Sequence, residues 1–416
     1  MHLVKNSHAA VLAGLLLGAS LGCATANEAA KPGPAATSPA ASAGTAPAAS
    51  AAAAPAAAAA AAPAPAAAAA SAAAASAAPA VAPTAAAAAA ATAAAASAGP
   101  AAPLDLQAEP LPLPGGPPVG MDYLAFEPAN GKIWVPAGNT ARVDVVDPHS
   151  PKIDEVKGFA TEKKGERTMG PSSAAAGAGF VYVGNRATAQ VCAIDAKTMK
   201  REGCAQLASS PDGLQYIAAT KELYVTTPRD KSIAVLDLKD PAKPTAAGKI
   251  SFDGEPEGYA ADDGRGIFYT NLEDRDLTLA VDAKTRKIVS TWRSGCGEKG
   301  PRGLALDPAR RHLFVACAEK VVKVLDAGRD GQVLDTLAHG GGVDNIDYLP
   351  SRHLLYVAEA REALLQIAAV SEAGKLQKFA TAKTVKGGRS VFVDADGSAY
   401  VPDSPGGRLL VVKLPR

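Results

Sequence analysis

Residues 104–416 repeat one phrase: a short apolar strand, a turn, and a second strand rich in β-branched and aromatic residues. The clearest copy runs from Val343 to Pro350, turns through Ser351-Arg352-His353, and continues as Leu354-Leu355-Tyr356-Val357-Ala358-Glu359. Arg302–Pro308 leads in the same way to Leu313–Cys317, and Gly120–Pro128 leads to Ile133–Pro136. The centre of the second strand marks seven copies: Val135, Val183, Val225, Thr270, Val315, Val357 and Val401, spaced 48, 42, 45, 45, 42 and 44 residues apart. A period in the forties with several short strands per copy is the mark of a β-propeller. The expected fold is therefore all-β, a seven-bladed β-propeller.

Each copy has room for four antiparallel strands. Five of the seven third strands are followed by Asp (Asp147, Asp195, Asp237, Asp282, Asp326). A carboxylate there can accept the N–H two residues on and pin the turn, so these acids are assigned no chemistry. The chain stops at Lys413-Leu414-Pro415-Arg416, directly after the third strand of the last copy. Leu104–Leu111 precedes the first blade and belongs to no other. It is expected to supply the missing outer strand and close the ring, where Pro110 and Pro112 suit a strand with one free edge.

Composition divides the chain before that ring. Residues 1–103 carry only three Lys, Arg, Asp or Glu side chains (Lys5, Glu28, Lys31) and no Trp, Tyr or Phe. Lys5 followed by the uncharged run Ala9–Leu21 reads as a signal peptide, too short for an ordinary membrane span. Ser20-Leu21-Gly22-Cys23 fits a bacterial lipobox with Cys23 lipidated, although Ser20 stands where Leu or Val is usual. Ala24-Thr25-Ala26 fits ordinary cleavage instead. The expected division is a signal peptide over 1–23, a disordered Ala/Pro/Ser-rich linker over 24–103, and the propeller over 104–416. The linker cannot bury enough apolar surface to offset backbone ordering. Extended at ~3.1 Å per residue it would span on the order of 240 Å. Thr84 could cap a local helix over 85–98. The location that follows is the periplasm or cell surface, held to the inner or outer membrane by the lipid.

The repeats resemble the YVTN-type, lactonase-like β-propeller family of secreted and cell-envelope bacterial proteins. Leu223-Tyr224-Val225-Thr226-Thr227, Val181-Tyr182-Val183-Gly184-Asn185 and Phe268-Tyr269-Thr270-Asn271 carry the likeness, with Leu304–Pro308 and Val322–Asp326. That resemblance implies a fold but not one function, because the family includes binding proteins and lactonase-like enzymes.

Of five cysteines, Cys23 stands apart. Cys192 and Cys204 flank the turn Asp195–Lys200 at nearly mirrored places, and Cys296 and Cys317 fall on one face of the fifth copy. Export favours two disulfides, Cys192–Cys204 and Cys296–Cys317, over buried free thiols. No C-x-x-C and no nearby His argues for a metal.

Propellers bind ligands at the mouth of the central channel, built from the loops that lead into the inner strands. Those loops hold Thr168, Ser210, Asp212, Glu255, Glu257, Lys299, Arg302, His339, Asp344, Asn345, Lys386 and Arg389. Glu257, Arg302, Asp344, Asn345 and Arg389 are the ligand-binding candidates, and mixed charge there suits a small polar ligand. His339, with Asp344 five residues on, is the one candidate general base; no Ser or Cys is placed beside it as a nucleophile. C-x-x-C-H, a G-H…W-D pattern and a phosphate-cradling glycine loop are all absent, so no cofactor is expected. A net charge of +1 gives no footprint for nucleic acid. The expectation is a monomeric, non-catalytic binding or scaffold propeller for an unknown protein or a small polar ligand. A lactonase-like hydrolase and a DNA-binding propeller are the alternatives.

Overall fold

The computed structural model describes residues 102–415. The signal peptide, Cys23, nearly all of the linker and the helix considered over 85–98 lie outside the described residues. Thirty-one strands and two short 3-10 turns make up the described chain. Six four-stranded antiparallel sheets and one five-stranded sheet form the seven blades, and a two-stranded hairpin stands apart from them.

The second strands explain the seven-fold repeat physically. The residue just before each marker is aromatic in every copy: Trp134, Tyr182, Tyr224, Tyr269, Phe314, Tyr356 and Tyr400. All seven are buried. Each such side chain contributes on the order of 2–3 kcal/mol by leaving water. The tyrosines also use their hydroxyls, because a buried O–H needs an acceptor. Tyr182 donates to the Pro241 carbonyl at 3.2 Å, Tyr224 to Ala283 at 2.9 Å and Tyr356 to Gly397 at 3.2 Å, each in the following blade. Seven apolar clusters result, one at each junction between neighbouring blades.

The five Asp residues close their turns through the backbone. Asp147 accepts from the His149 N–H, Asp195 from Lys197, Asp237 from Lys239 and Asp326 from Gly328. Asp282 accepts from Thr285, one residue farther on.

Ala108–Pro112 runs antiparallel to Arg408–Val412, so the N-terminal strand closes the last blade. The expected closing stretch began at Leu104, and here the structure differs. Leu104–Leu106 crosses to the sixth blade and pairs in parallel with Ala380–Ala382 as a fifth strand. Leu106 packs at the core between blades six and seven. One segment therefore stitches two blades and covers an edge that would otherwise be open. The hairpin Glu162–Lys164 with Arg167–Met169 sits between blades one and two; nothing in the repeat pattern announced it. Both disulfides are present, Cys192–Cys204 within blade two and Cys296–Cys317 joining the loop before blade five to its second strand. Among the described residues no helix is long and apolar enough to cross a membrane.

Candidate functional site

Strand pairing sets the geometry of the channel. On each inner strand one residue faces the marker of the second strand: Ala174, Leu214, Tyr259, Leu304 and Ile346 by direct pairing. Leu124 and Val391 follow from the registers of blades one and seven. Counting back two residues reaches the mouth. That tier reads Asp122, Ser172, Asp212, Glu257, Arg302, Asp344 and Arg389 from blade one to blade seven. One structural position, repeated seven times, forms a ring of four acids, two arginines and a serine.

The blade-two position is the gap, and another part of blade two fills it. Arg186, just beyond the second strand, forks to Asp122 Oδ2 at 2.7 Å and to Asp212 Oδ1. Arg389 bridges the other side, to Asp122 Oδ1 at 3.2 Å and to Asp344 Oδ2 at 3.3 Å. An unbroken chain results: Asp212, Arg186, Asp122, Arg389, Asp344. Burial opposes charge on Arg186, but Asp122 and Asp212 outweigh it and hold its pKa above the usual value. Burial likewise raises Asp212, and it raises Asp344 to about 6 against the pull of Arg389.

Blades four and five break the pattern. Arg302 lines the mouth but makes its ion pair with Glu273, outside the ring. Glu257 then faces Asp212 with no arginine between them. Its side chain is buried, and its one hydrogen bond among the described residues comes from the Tyr123 hydroxyl to Oε1, at 3.3 Å. Burial, then the charges of Asp212 and Asp344, push the Glu257 pKa to about 8. The carboxyl is thus largely protonated at neutral pH.

Tyr123 reaches Glu257 from the opposite side of the channel because the tier below the ring is otherwise small. That tier reads Tyr123, Ser173, Gly213, Gly258, Gly303, Asn345 and Ser390. A Cβ on Gly213 would strike the Tyr259 ring, and one on Gly258 would strike the Arg302 carbonyl. These glycines let the inner strands approach closely and leave the channel to the two tyrosines. Tyr123 and Tyr259 pack with ring centres 5.7 Å apart, and the Tyr259 hydroxyl accepts the Leu214 N–H at 3.1 Å. Together they floor the mouth. Above the ring lies a cavity of about 300 Å3, with the exposed Arg167 and Arg229 on its rim. Below it a second cavity of about 240 Å3 follows the channel past Asp347, whose carboxyl burial pushes up to about 7.

Glu257, Arg302, Asp344 and Arg389 come together at the mouth, joined by Asp212 and Ser210. Asn345 lies one tier deeper, its Oδ1 accepting its own neighbour's N–H at 3.0 Å. Thr168, Glu255, Lys299 and Lys386 line neither channel cavity. His339 lines neither as well. It belongs to the outermost strand of blade five, Gln332–Gly341, which runs farther than the loop expected there. Its Nδ1 contacts the Gly340 carbonyl and burial lowers its pKa. Sequence reasoning missed Asp122, Tyr123 and Arg186. Asp122 was within reach, since it falls at the ring position once the seven copies are aligned. Arg186 was not, because it arrives from a different turn.

No family model matches the chain, and no curated protein matches it in sequence. Solved structures do match. A chain of the crystal structure of the mitotic checkpoint complex aligns with a TM-score of 0.63 at 15% identity, covering 77% of this chain and 97% of that one. The hydrazine synthase of Kuenenia stuttgartiensis aligns with a TM-score of 0.59, also at 15% identity, over 72% of this chain and 96% of its own. At that identity the likeness is one of fold. The chain is a seven-bladed β-propeller.

Proposed function

We propose that this protein is a non-catalytic binding propeller of the YVTN type, taking a small polar ligand at the charged mouth of its channel. The observation that carries the reading is the ionic ring itself. Its charges are spent largely on one another, and neither Ser172 nor Ser173 beside them is set up for attack. Ser172 Oγ and Ser173 Oγ are buried without hydrogen-bond partners among the described residues. A nucleophile needs a base in contact, and neither serine has one. His339, the base considered from the sequence, sits on an outer strand away from the mouth cavity.

Export and anchoring belong to the same proposal. Two disulfides in one propeller suit an oxidising compartment. An anchor at Cys23 with a long linker would hold the ring off the membrane. The mass of the mature N-terminus tests this part: a lipid-modified Cys23 supports the anchor, and a chain beginning at Asn27 removes it. The binding reading is tested by incubating the mature protein with a panel of lactones. No turnover above the uncatalysed rate is expected; turnover abolished by His339→Ala would replace binding with hydrolysis.

A further inference from the structure

The geometry points to the class of ligand: a small zwitterion, whose ammonium sits between Asp212 and Glu257 and whose carboxylate meets the rim arginines. This inference deepens the proposed binding function and rests on it. The ring alternates acid and arginine around most of its circumference, through Asp344, Arg389, Asp122, Arg186 and Asp212. At the next step the alternation fails. Asp212 and Glu257 follow each other with no cation between them, and Arg302 is engaged with Glu273.

Glu257 supplies the second, independent observation. It is 8% exposed, lines the mouth cavity, and leaves Oε2 without a hydrogen bond among the described residues. A carboxyl buried to that degree ordinarily has a charged or multiply bonded partner. An ammonium placed there would complete the alternation. Above the same junction Arg229 is exposed, and no acid pairs with it among the described residues. Its guanidinium presents a fork suited to a carboxylate. A purely cationic ligand would leave that fork unused and be repelled by it. A purely anionic ligand would meet three ring aspartates. A cavity of about 300 Å3 holds an amino-acid-sized molecule with both charges.

Proton release is the signature. The groups facing Glu257 are Asp212, Asp344, Asp122, Arg302 and the hydroxyl of Tyr123. An ammonium beside it favours the ionised carboxylate, so binding expels the proton that burial retains.

Calorimetric titration of the mature protein with ω-amino acids from β-alanine to 6-aminohexanoate, against butylamine and butyrate, tests the inference. One chain length is expected to bind at least about tenfold tighter than either single-charge probe, with proton release on binding. Its affinity should rise by roughly tenfold per pH unit between 6 and 7 and level off above 8. Glu257→Gln, a neutral shape-match for the protonated acid, should abolish both the pH dependence and the preference for an ammonium. Arg229→Ala should reduce the best ω-amino acid to the affinity of butylamine. Tightest binding of butyrate, unaffected by Glu257→Gln, would overturn the zwitterion while leaving the mouth as a binding site. Binding by no probe would overturn both.

Discussion

The two arcs of the channel mouth solve the same problem differently. From blade three back through blades two and one to blades seven and six, buried acids are neutralised by arginines that each touch two of them. From blade three to blade four, two acids adjoin and one stays neutral by holding a proton. Taking a charge out of water costs several kcal/mol unless a partner compensates it. A fold can meet that cost with a fixed cation or with a proton. The first arrangement is permanent and rigid. The second is exchangeable, and exchange is what a binding site requires. That difference is why the proposed ligand is placed in the arc that looks less complete.

Breaking the rigid arc should give the largest effect. Arg186→Ala leaves Asp122 and Asp212 buried without their shared cation, and denaturant unfolding should show a loss of about 3–5 kcal/mol. A loss below about 1 kcal/mol would mean that water reaches both acids and that the arc is not held by this contact.

The exchangeable arc predicts the opposite sign. The Glu257 pKa lies near 8 in the folded protein against an ordinary 4.5, so folding takes up a proton between those values. Its contribution to stability is fully present below 4.5 and is lost as pH rises through 8. Glu257→Gln cannot lose a proton. Thermal melts of variant and parent should nearly coincide at pH 5, and the variant should melt a few degrees higher at pH 8.5. Equal melting at both pH values would show that Glu257 is already paired.

Arg389→Ala sharpens the comparison with the smallest change. Its side chain is 52% exposed, so solvent screens both of its ion pairs. Despite two partners, the cost should stay under about 1 kcal/mol by denaturant unfolding and should shrink in high salt. A cost equal to that of Arg186→Ala would erase the distinction between the buried and the half-exposed arginine of the arc.

Much of this site could be read from the chain because a propeller repeats its geometry. Glu257, Arg302, Asp344 and Arg389 each stand two residues before the inner-strand residue that faces the marker, which brings them to one ring. Leu104–Leu111 was legible as a closing segment because the last copy lacks its fourth strand. Its division between two blades was not, since only the edge of blade six, through Ala380–Ala382, decides where Leu104–Leu106 lies. His339 misled for a local reason. Gly340-Gly341-Gly342 looks like a turn, yet the strand runs on to Gly341 and carries the histidine away from the mouth.

The amino-acid sequence alone determined seven blades, the two cysteine pairs and four of the residues at the ring position, Glu257, Arg302, Asp344 and Arg389. Each follows from local pattern: period, strand alternation and offset from a turn. Tertiary structure alone decided which of those charges are neutralised. Arg186 reaches two acids from neighbouring blades, Arg302 pairs with Glu273 rather than with a ring acid, and Tyr123 crosses the channel to Glu257. Burial and charge partners depend on what lies across the axis, and residues that meet there are up to 267 positions apart in the chain.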